Sequence, residues 1–465
     1  MNLSDTIIIG SVEDLKHQIK QSPEINYLDE YGYTPLIQTI IVDEIEKTKI
    51  LLTAGADVNQ KDITGRTPLH WAVANNKHEL IALLVTNGAN PNAYTIASEP
   101  ILAKPILRHD KKLKKLLVKH GAKYTFANDY IHAKLLGHRF ELIGSVDILD
   151  ADGVFTEVDY EGFYLEFSLD LIRDSLLNFS HNFAARPINS WFSYIQTIST
   201  ALEQAREVLQ YDHYLKNPQQ QQEATSQLLK NDPLLLPISQ EGHAITVVKY
   251  KNLLAICDRS LESEPFDCIP IYFINRPSNI TVPLIADLLF RKQSIQDIQN
   301  TLQKQLSLQA IAQIPLKNQV IGNCSWANVE AIIPSLTLML QLQSHESPQP
   351  PSTAHLIADS LELFHRWRNW DTHRALSAVI QEFESASPAR KASIAALLAG
   401  VLFQRCSADD PQHIERAKPI IKILKTKGYE YIIESYIQFY VYNRSTYVGQ
   451  NLQRLLHAYE LDEVF

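Results

Sequence analysis

Paired leucines set the pattern at the start of this chain. Leu51-Leu52, Leu83-Leu84 and Leu116-Leu117 each stand just ahead of a glycine, and Gly55, Gly88 and Gly121 follow one another at intervals of 33 residues. Apolar pairs closed by a glycine predict helices that bury one face and end in a left-handed turn. From Asp150 the period changes. Val154–Phe167 is aromatic and partly alternating, which predicts a strand or strand pair, and Leu169–Phe179 and Trp191–Leu209 read as helices. Pro218 with Gln219–Gln222 reads as a polar break. Dense strand signals follow in Leu234–Ser239, His243–Tyr250, Leu253–Asp258 and Cys268–Asn275, and then a mostly helical run from Ile280 to Ile311. Past a Pro- and Ser-rich linker at Ser344–Thr353, starters and stoppers such as Ser387-Pro388, Asp410-Pro411 and Gly428 divide the rest into helices. These run Leu356–Trp370, Thr372–Glu384, Pro388–Arg405, His413–Lys425, Tyr429–Tyr440 and Val448–His457.

The first repeat has a recognisable chemistry. Thr34-Pro-Leu36 returns as Thr67-Pro-Leu-His70, and Asn26, Asn59 and Asn92 keep the same interval of 33. The threonine caps a helix, and the proline occupies the first helical position, where its missing N–H costs nothing. With Gly-Ala-Asp-Val-Asn59, these residues resemble the ankyrin repeat. The third unit departs from the pattern, with Glu99-Pro-Ile-Leu in place of Thr-Pro-Leu-His, and residues 126–145 read as a closing helical unit. Residues 1–150 therefore resemble about four ankyrin units, which implies a protein-binding module. Tyr31, Tyr33, Arg66 and Trp71, on or beside the hairpin tips, are the candidate partner contacts. Leu51 with Asp57-Val58-Asn59 is similar to repeats hydroxylated by the animal asparaginyl hydroxylase, which makes Asn59 a modification candidate.

Composition narrows the classes. A chain of 465 residues with 45% hydrophobic and 20% charged residues is an ordinary globular one, long enough for two or three domains. A net charge of −9 gives no footprint for direct nucleic-acid binding. Cys257, Cys268, Cys324 and Cys406 form no CxxC pair, which points to a reducing compartment. No apolar run is long enough to span a membrane, and the start lacks the basic and apolar blocks of a signal peptide, so export would need another route. No metal spacing, P-loop or dinucleotide fingerprint is present, and no cofactor is expected.

The candidate chemistry centres on Gln319-Val-Ile-Gly-Asn-Cys-Ser-Trp326, a turn that opens a helix at Cys324. A thiol in the first helical turn is biased toward the thiolate. With Lys251-Asn252 as the centre of a hairpin, Tyr250 pairs with Leu253, and counting outward sets Asp258 opposite Ile245. His243 then shares a face with Asp258, so a carboxylate can orient an imidazole that serves as base. No cysteine precedes residue 257, which excludes a papain order using His243. The order His243, Asp258, Gln319, Cys324 resembles the cysteine-protease clan of the adenoviral protease, the ubiquitin-like-protein proteases and the effectors of the YopJ type. That resemblance implies His243 as base, Asp258 as its orienter, Gln319 as oxyanion donor and Cys324 as nucleophile. It covers roughly residues 230–335 and has departures: Ala244 follows the histidine where a tryptophan is common, and Asn323-Cys324-Ser325 replaces Asp-Cys-Gly.

The expected fold is α+β: an ankyrin solenoid over 1–150, a cysteine-protease domain of the ubiquitin-like-protease type over 151–345, and a C-terminal helical bundle over 346–465. The expected activity is that of a thiol protease or isopeptidase. Acetyl transfer of the YopJ type and a non-catalytic host-binding adaptor are the alternatives. Repeats, thiol domain and acidic tail together resemble the Dot/Icm-translocated ankyrin effectors of Legionella. This implies delivery through a type IV system into the host cytoplasm or nucleus, where the repeats would bind a host protein.

Overall fold

The structure is a computed structural model that describes residues 3–21, 24–209, 218–240, 242–260, 267–320, 322–344, 352–442 and 446–458. The acidic tail at 459–465 and most of the linker at 344–353 lie outside the described residues. Contacts divide the described chain into two units: 3–133 with 145–159, and 134–144 with the rest from 160 onward. The boundaries drawn from sequence at 150 and 345 are not the ones these contacts draw.

The first unit is built from helix pairs: Leu3–Ile9 with Val12–Gln21, Pro35–Ile41 with Ile45–Thr53, Pro68–Ala74 with His78–Thr86, and Ala103–Leu107 with Lys111–Lys119. Thr34 and Thr67 accept the backbone N–H of Ile37 and His70, and a proline opens each helix, as helix-start chemistry requires. Leu36, Leu51, Leu69, Leu84 and Leu117 share one core, so each repeat buries its leucines against the next. The asparagine ladder links neighbouring repeats. Asn59 donates to Gly88 O at 3.1 Å and accepts Asn90 N–H at 2.7 Å, and Asn26 and Asn92 do the same at their own positions. Strands β1 (Ser145–Leu149) and β2 (Phe155–Asp159) form a hairpin. The expected strand region thus begins earlier than the aromatic run, and the end of that run enters the helix Leu165–Ser180.

The second unit carries a five-stranded antiparallel sheet in the order β3 (Leu234–Gln240), β4 (His243–Tyr250), β5 (Leu253–Cys257), β6 (Cys268–Ile274), β7 (Leu308–Pro315). Leu235, Ala244, Val248 and Ala255 join one core with Trp326, Ile332 and Leu336, while Leu236, Ile245, Val247 and Ile256 join another with Ile285, Ile298 and Leu302. Both faces are covered, which is why these strands read as continuous apolar runs. The hairpin register counted from Lys251-Asn252 is the observed one, with Tyr250 opposite Leu253 and Thr246 opposite Cys257.

Several elements differ from the sequence reading. Pro218–Leu228 is a helix rather than a break. Leu308–Pro315 is a strand: Ser307 takes a left-handed φ of 51° and ends the preceding helix, and the strand that follows pairs with β6 across a bulge at Ile311. Thr353–Ser385 is a single helix of 33 residues rather than two. The Asp371-Thr372 pair reads as a helix start, but Asp371 turns inward and its carboxylate is held by Arg139 at 2.6 Å. Leu356, Leu363, Phe364 and Trp367 of this helix belong to the same core as the sheet. Helices Pro388–Arg405, Pro411–Leu424, Glu430–Tyr436 and Tyr447–His457 pack on one another beyond it.

Candidate active site

His243 opens β4 and Asp258 directly follows β5, so the antiparallel pairing brings them to one end of the sheet. Nε2 of His243 donates to Oδ1 of Asp258 at 3.1 Å. Asp258 also accepts the N–H of Ser260 at 3.0 Å and is buried. Cys324 is the first residue of the helix Cys324–Glu330, with its thiol 3.9 Å from the carbonyl of Gly242, the residue before His243, and near enough to the imidazole for the two to shift each other's ionisation.

The electrostatics follow from this geometry. Hydrogen bonds from the imidazolium to Asp258 and to Cys324 raise the His243 pKa to about 10, against a smaller opposing effect of burial. Burial by itself would raise the Cys324 thiol, but the bond to His243 and the backbone N–H groups of Ala244 and Ser325 outweigh it and lower its pKa. Burial likewise opposes ionisation of Asp258, and its bonds to His243 and Ser260 prevail, so its pKa is lowered. The three groups together favour a thiolate–imidazolium pair next to a carboxylate, the charge state an activated thiol needs.

Gln319 follows β7. Its N–H donates to Arg259 O at 2.7 Å, which fixes it beside the residue after Asp258. Its side chain is buried and its Oε1 accepts no hydrogen bond. Gly322, just ahead of the nucleophile candidate, has φ +80°, and a Cβ there would lie 2.5 Å from Glu161 Cβ, so only glycine fits.

Three residues that the sequence reading passed over hold the Cys324 helix in place. Asn323 Oδ1 accepts from His138 Nδ1 at 2.5 Å, and its Nδ2 donates back to His138 O at 3.3 Å. Trp326 stacks on the His138 ring and lies under the Arg139 guanidinium, with its indole N–H on Glu330 at 2.7 Å. Asn328 donates to Ala244 O at 2.6 Å and accepts Arg259 N–H at 2.8 Å. Asn328 stands four residues after Cys324, on the same helical face, and that spacing was its one signal in the sequence.

In the first unit, the four candidate contacts separate. Tyr31 is 68% exposed. Trp71 is buried: its indole N–H donates to Asp62 at 2.8 Å, the ring of Tyr33 meets it edge-on at 5.4 Å, and the guanidinium of Arg66 lies over it. Trp71 is thus a core residue and not a partner contact, and Tyr33 and Arg66 are partly engaged in packing against it. Asn59 is exposed, although both ends of its amide are used in the inter-repeat ladder. No helix among the described residues is long and apolar enough to cross a membrane.

These features define an ankyrin-repeat protein with a mixed helix-and-sheet second unit, and the family described as Ankyrin repeats (3 copies) matches residues 6–95. No curated protein matches the chain. The solved structure of the Legionella effector AnkH is similar over 98% of this chain and 97% of that one, with 41% identity and a TM-score of 0.86. The chain belongs to the AnkH family of Legionella effectors.

Proposed function

We propose that this protein is an effector delivered into a host cell, where the ankyrin repeats dock a host protein and Cys324 acts as the nucleophile of a cysteine hydrolase of protease or isopeptidase type. The observation that carries this reading is the placing of one imidazole: the ring of His243 bonds the Asp258 carboxylate at 3.1 Å, and the Cys324 thiol lies beside it, 3.9 Å from the carbonyl of Gly242.

The chemistry follows from the groups present. The Cys324 thiolate attacks a peptide or isopeptide carbonyl, and the carbonyl oxygen becomes an oxyanion. Backbone N–H groups at the start of the Cys324 helix and the buried amide of Gln319 are the donors for that charge. Protonated His243 gives its proton to the leaving amine as the C–N bond breaks, which leaves a thioester. His243, again neutral, takes a proton from water, the hydroxide so formed cleaves the thioester, and the thiol is restored. Asp258 keeps the ring oriented and stabilises its charged form throughout. Membership in the AnkH family supports delivery into a host cell, and type IV transport to the host cytoplasm or nucleus is part of the same reading.

The test is labelling of the full-length protein with ubiquitin and ubiquitin-like proteins bearing a thiol-reactive C-terminus, beside an assay of radiolabelled acetyl transfer from acetyl-CoA. Covalent capture that is lost in Cys324→Ala supports the hydrolase. Acetyl transfer lost in the same variant moves the site to acetyltransferase chemistry. Neither activity, with host-protein binding intact in Cys324→Ala, leaves the adaptor role alone.

A further inference from the structure

Away from Cys324, the second unit contains a cavity of about 520 Å³, within the 300–1,000 Å³ range of small-molecule sites. Its wall is strongly cationic: Arg139, Lys317, Arg368, Arg405 and Arg416 line it, and Glu141 is the one carboxylate among the lining residues. This runs against the chain as a whole, whose net charge is −9.

Two of the cations are already balanced. Arg139 binds Asp371 at 2.6 Å. Arg368 binds Glu141 at 2.8 Å and Glu330 at 3.3 Å, and Glu141 also faces Arg259 at 3.4 Å. Arg405, Arg416 and Lys317 have no carboxylate within ion-pair distance among the described residues. Both arginines are nonetheless held in place. Arg405 donates to the carbonyls of Phe140 and Glu141. The guanidinium of Arg416 lies 5.2 Å from the centre of the Phe140 ring and donates to Arg405 O at 3.5 Å.

Two of the neutral side chains around them are spent. Gln404 uses both ends of its amide on Ile143, and Asn451 uses both of its own on Ala408 and Cys406. His413 Nδ1, by contrast, is buried with no hydrogen-bond partner. The cavity therefore presents surplus positive charge: backbone carbonyls hold the two arginines in place, but among the described residues no carboxylate forms an ion pair with Arg405, Arg416 or Lys317. Keeping like charges together in a concave, part-buried wall is unfavourable until an anion arrives.

We propose that this cavity binds a compact small molecule bearing two or more phosphate groups. Guanidinium forks match phosphate oxygens in pairs, and Lys317 adds a mobile point charge at the rim. Three cations without an ion-pair partner call for more than one unit of negative charge, which a single carboxylate does not supply. Because Arg405 and Arg416 are already fixed, little ordering entropy is lost on binding. The proposal is independent of the thiol reading.

The test is calorimetric titration of the full-length protein with inorganic tripolyphosphate, without divalent cations, at low and at raised ionic strength. Saturable one-to-one binding that weakens with salt is expected. Arg416→Gln and Lys317→Gln should each weaken it several-fold, and Cys324→Ala should leave it unchanged. Lys317 is exposed, so Lys317→Gln keeps the test available if Arg416→Gln fails to fold. Absence of binding at millimolar tripolyphosphate overturns the proposal, as does binding that Lys317→Gln and a folded Arg416→Gln leave intact. Orthophosphate binding as tightly as tripolyphosphate would overturn the polyphosphate class.

Discussion

The side-chain amide of Asn328 donates to the carbonyl of Ala244 at 2.6 Å and so ties the helix that begins at Cys324 to the residue after His243. The same side chain accepts the N–H of Arg259, the residue after Asp258, at 2.8 Å. One amide thus links the three segments that carry the thiol, the imidazole and the carboxylate.

Asn328→Ala leaves a buried carbonyl and a buried N–H without partners. At roughly 1–3 kcal/mol for each orphaned group, stability should fall by about 2–6 kcal/mol. Asn328→Asp keeps the acceptor and loses the donor, so it should cost less. Denaturant midpoints of the three proteins measure the difference. Equal midpoints would mean that the backbone, and not this side chain, holds the segments together.

The lowered pKa of Cys324 should appear in its alkylation rate. Iodoacetamide should react at pH values below the range of an ordinary thiol, near 8.5. His243→Gln removes the main bond opposing the burial penalty, so the rate inflection should move up and the reaction at pH 7 should slow several-fold. Cys257 and Cys406 are buried, with thiols pushed up to about 12 by that burial, and should stay silent in peptide mapping. A wild-type inflection at or above 8.5 would remove the case for an activated sulfur.

The hairpin was legible because its determinants are local. Lys251 takes φ 48° in a two-residue turn, and from there parity alone sets which residues face one another. The ankyrin repeats were legible for the same reason, since period, cap and proline all fall within one unit. Leu308–Pro315 was not, because its strand character comes from pairing with β6 and is not written in its own alternation. The bond between His138 and Asn323 joins residues 185 positions apart and left no mark that one sequence could reveal. Trp71 was misread because an aromatic residue beside a hairpin tip does not disclose that its indole turns inward to Asp62.

The His243–Asp258 pair should also make stability depend on pH in a particular direction. Asp258 has a lowered pKa, so its contribution is present above the unfolded carboxylate value, near 3.9, and is lost as pH falls through the folded one. His243 has a raised pKa, so its contribution is complete below about 6.5 and is lost as pH rises toward about 10. The two windows overlap between about pH 4 and 6.5. His243→Gln should therefore destabilise most near pH 5–6, with its deficit shrinking toward pH 10. A deficit that grows with pH in thermal melts would reverse the assignment.

Arg139 and Asp371 form a buried ion pair, with Ser175 and Arg374 also on the carboxylate. Arg139→Met strands that charge and should cost about 3–5 kcal/mol. Arg139→Met with Asp371→Leu removes both charges and should recover much of the loss. A double variant no more stable than the single one, in chemical denaturation, would show that Ser175 and Arg374 depend on Asp371 more than Arg139 does.

Docking through the repeats can be separated from folding because Tyr31 and Trp71 occupy opposite environments. Tyr31 is 68% exposed, so Tyr31→Ala should change stability by no more than about 0.5 kcal/mol. Trp71 is 4% exposed and bonded to Asp62 through its indole, so Trp71→Ala opens a cavity, orphans a carboxylate oxygen and should cost about 3–5 kcal/mol. Loss of host-protein capture in Trp71→Ala would therefore say nothing about docking unless the melt is unchanged. Loss in Tyr31→Ala, with the melt and Cys324 alkylation both unchanged, would place the partner on the hairpin tips. Full capture by Tyr31→Ala would remove that tip from the docking surface.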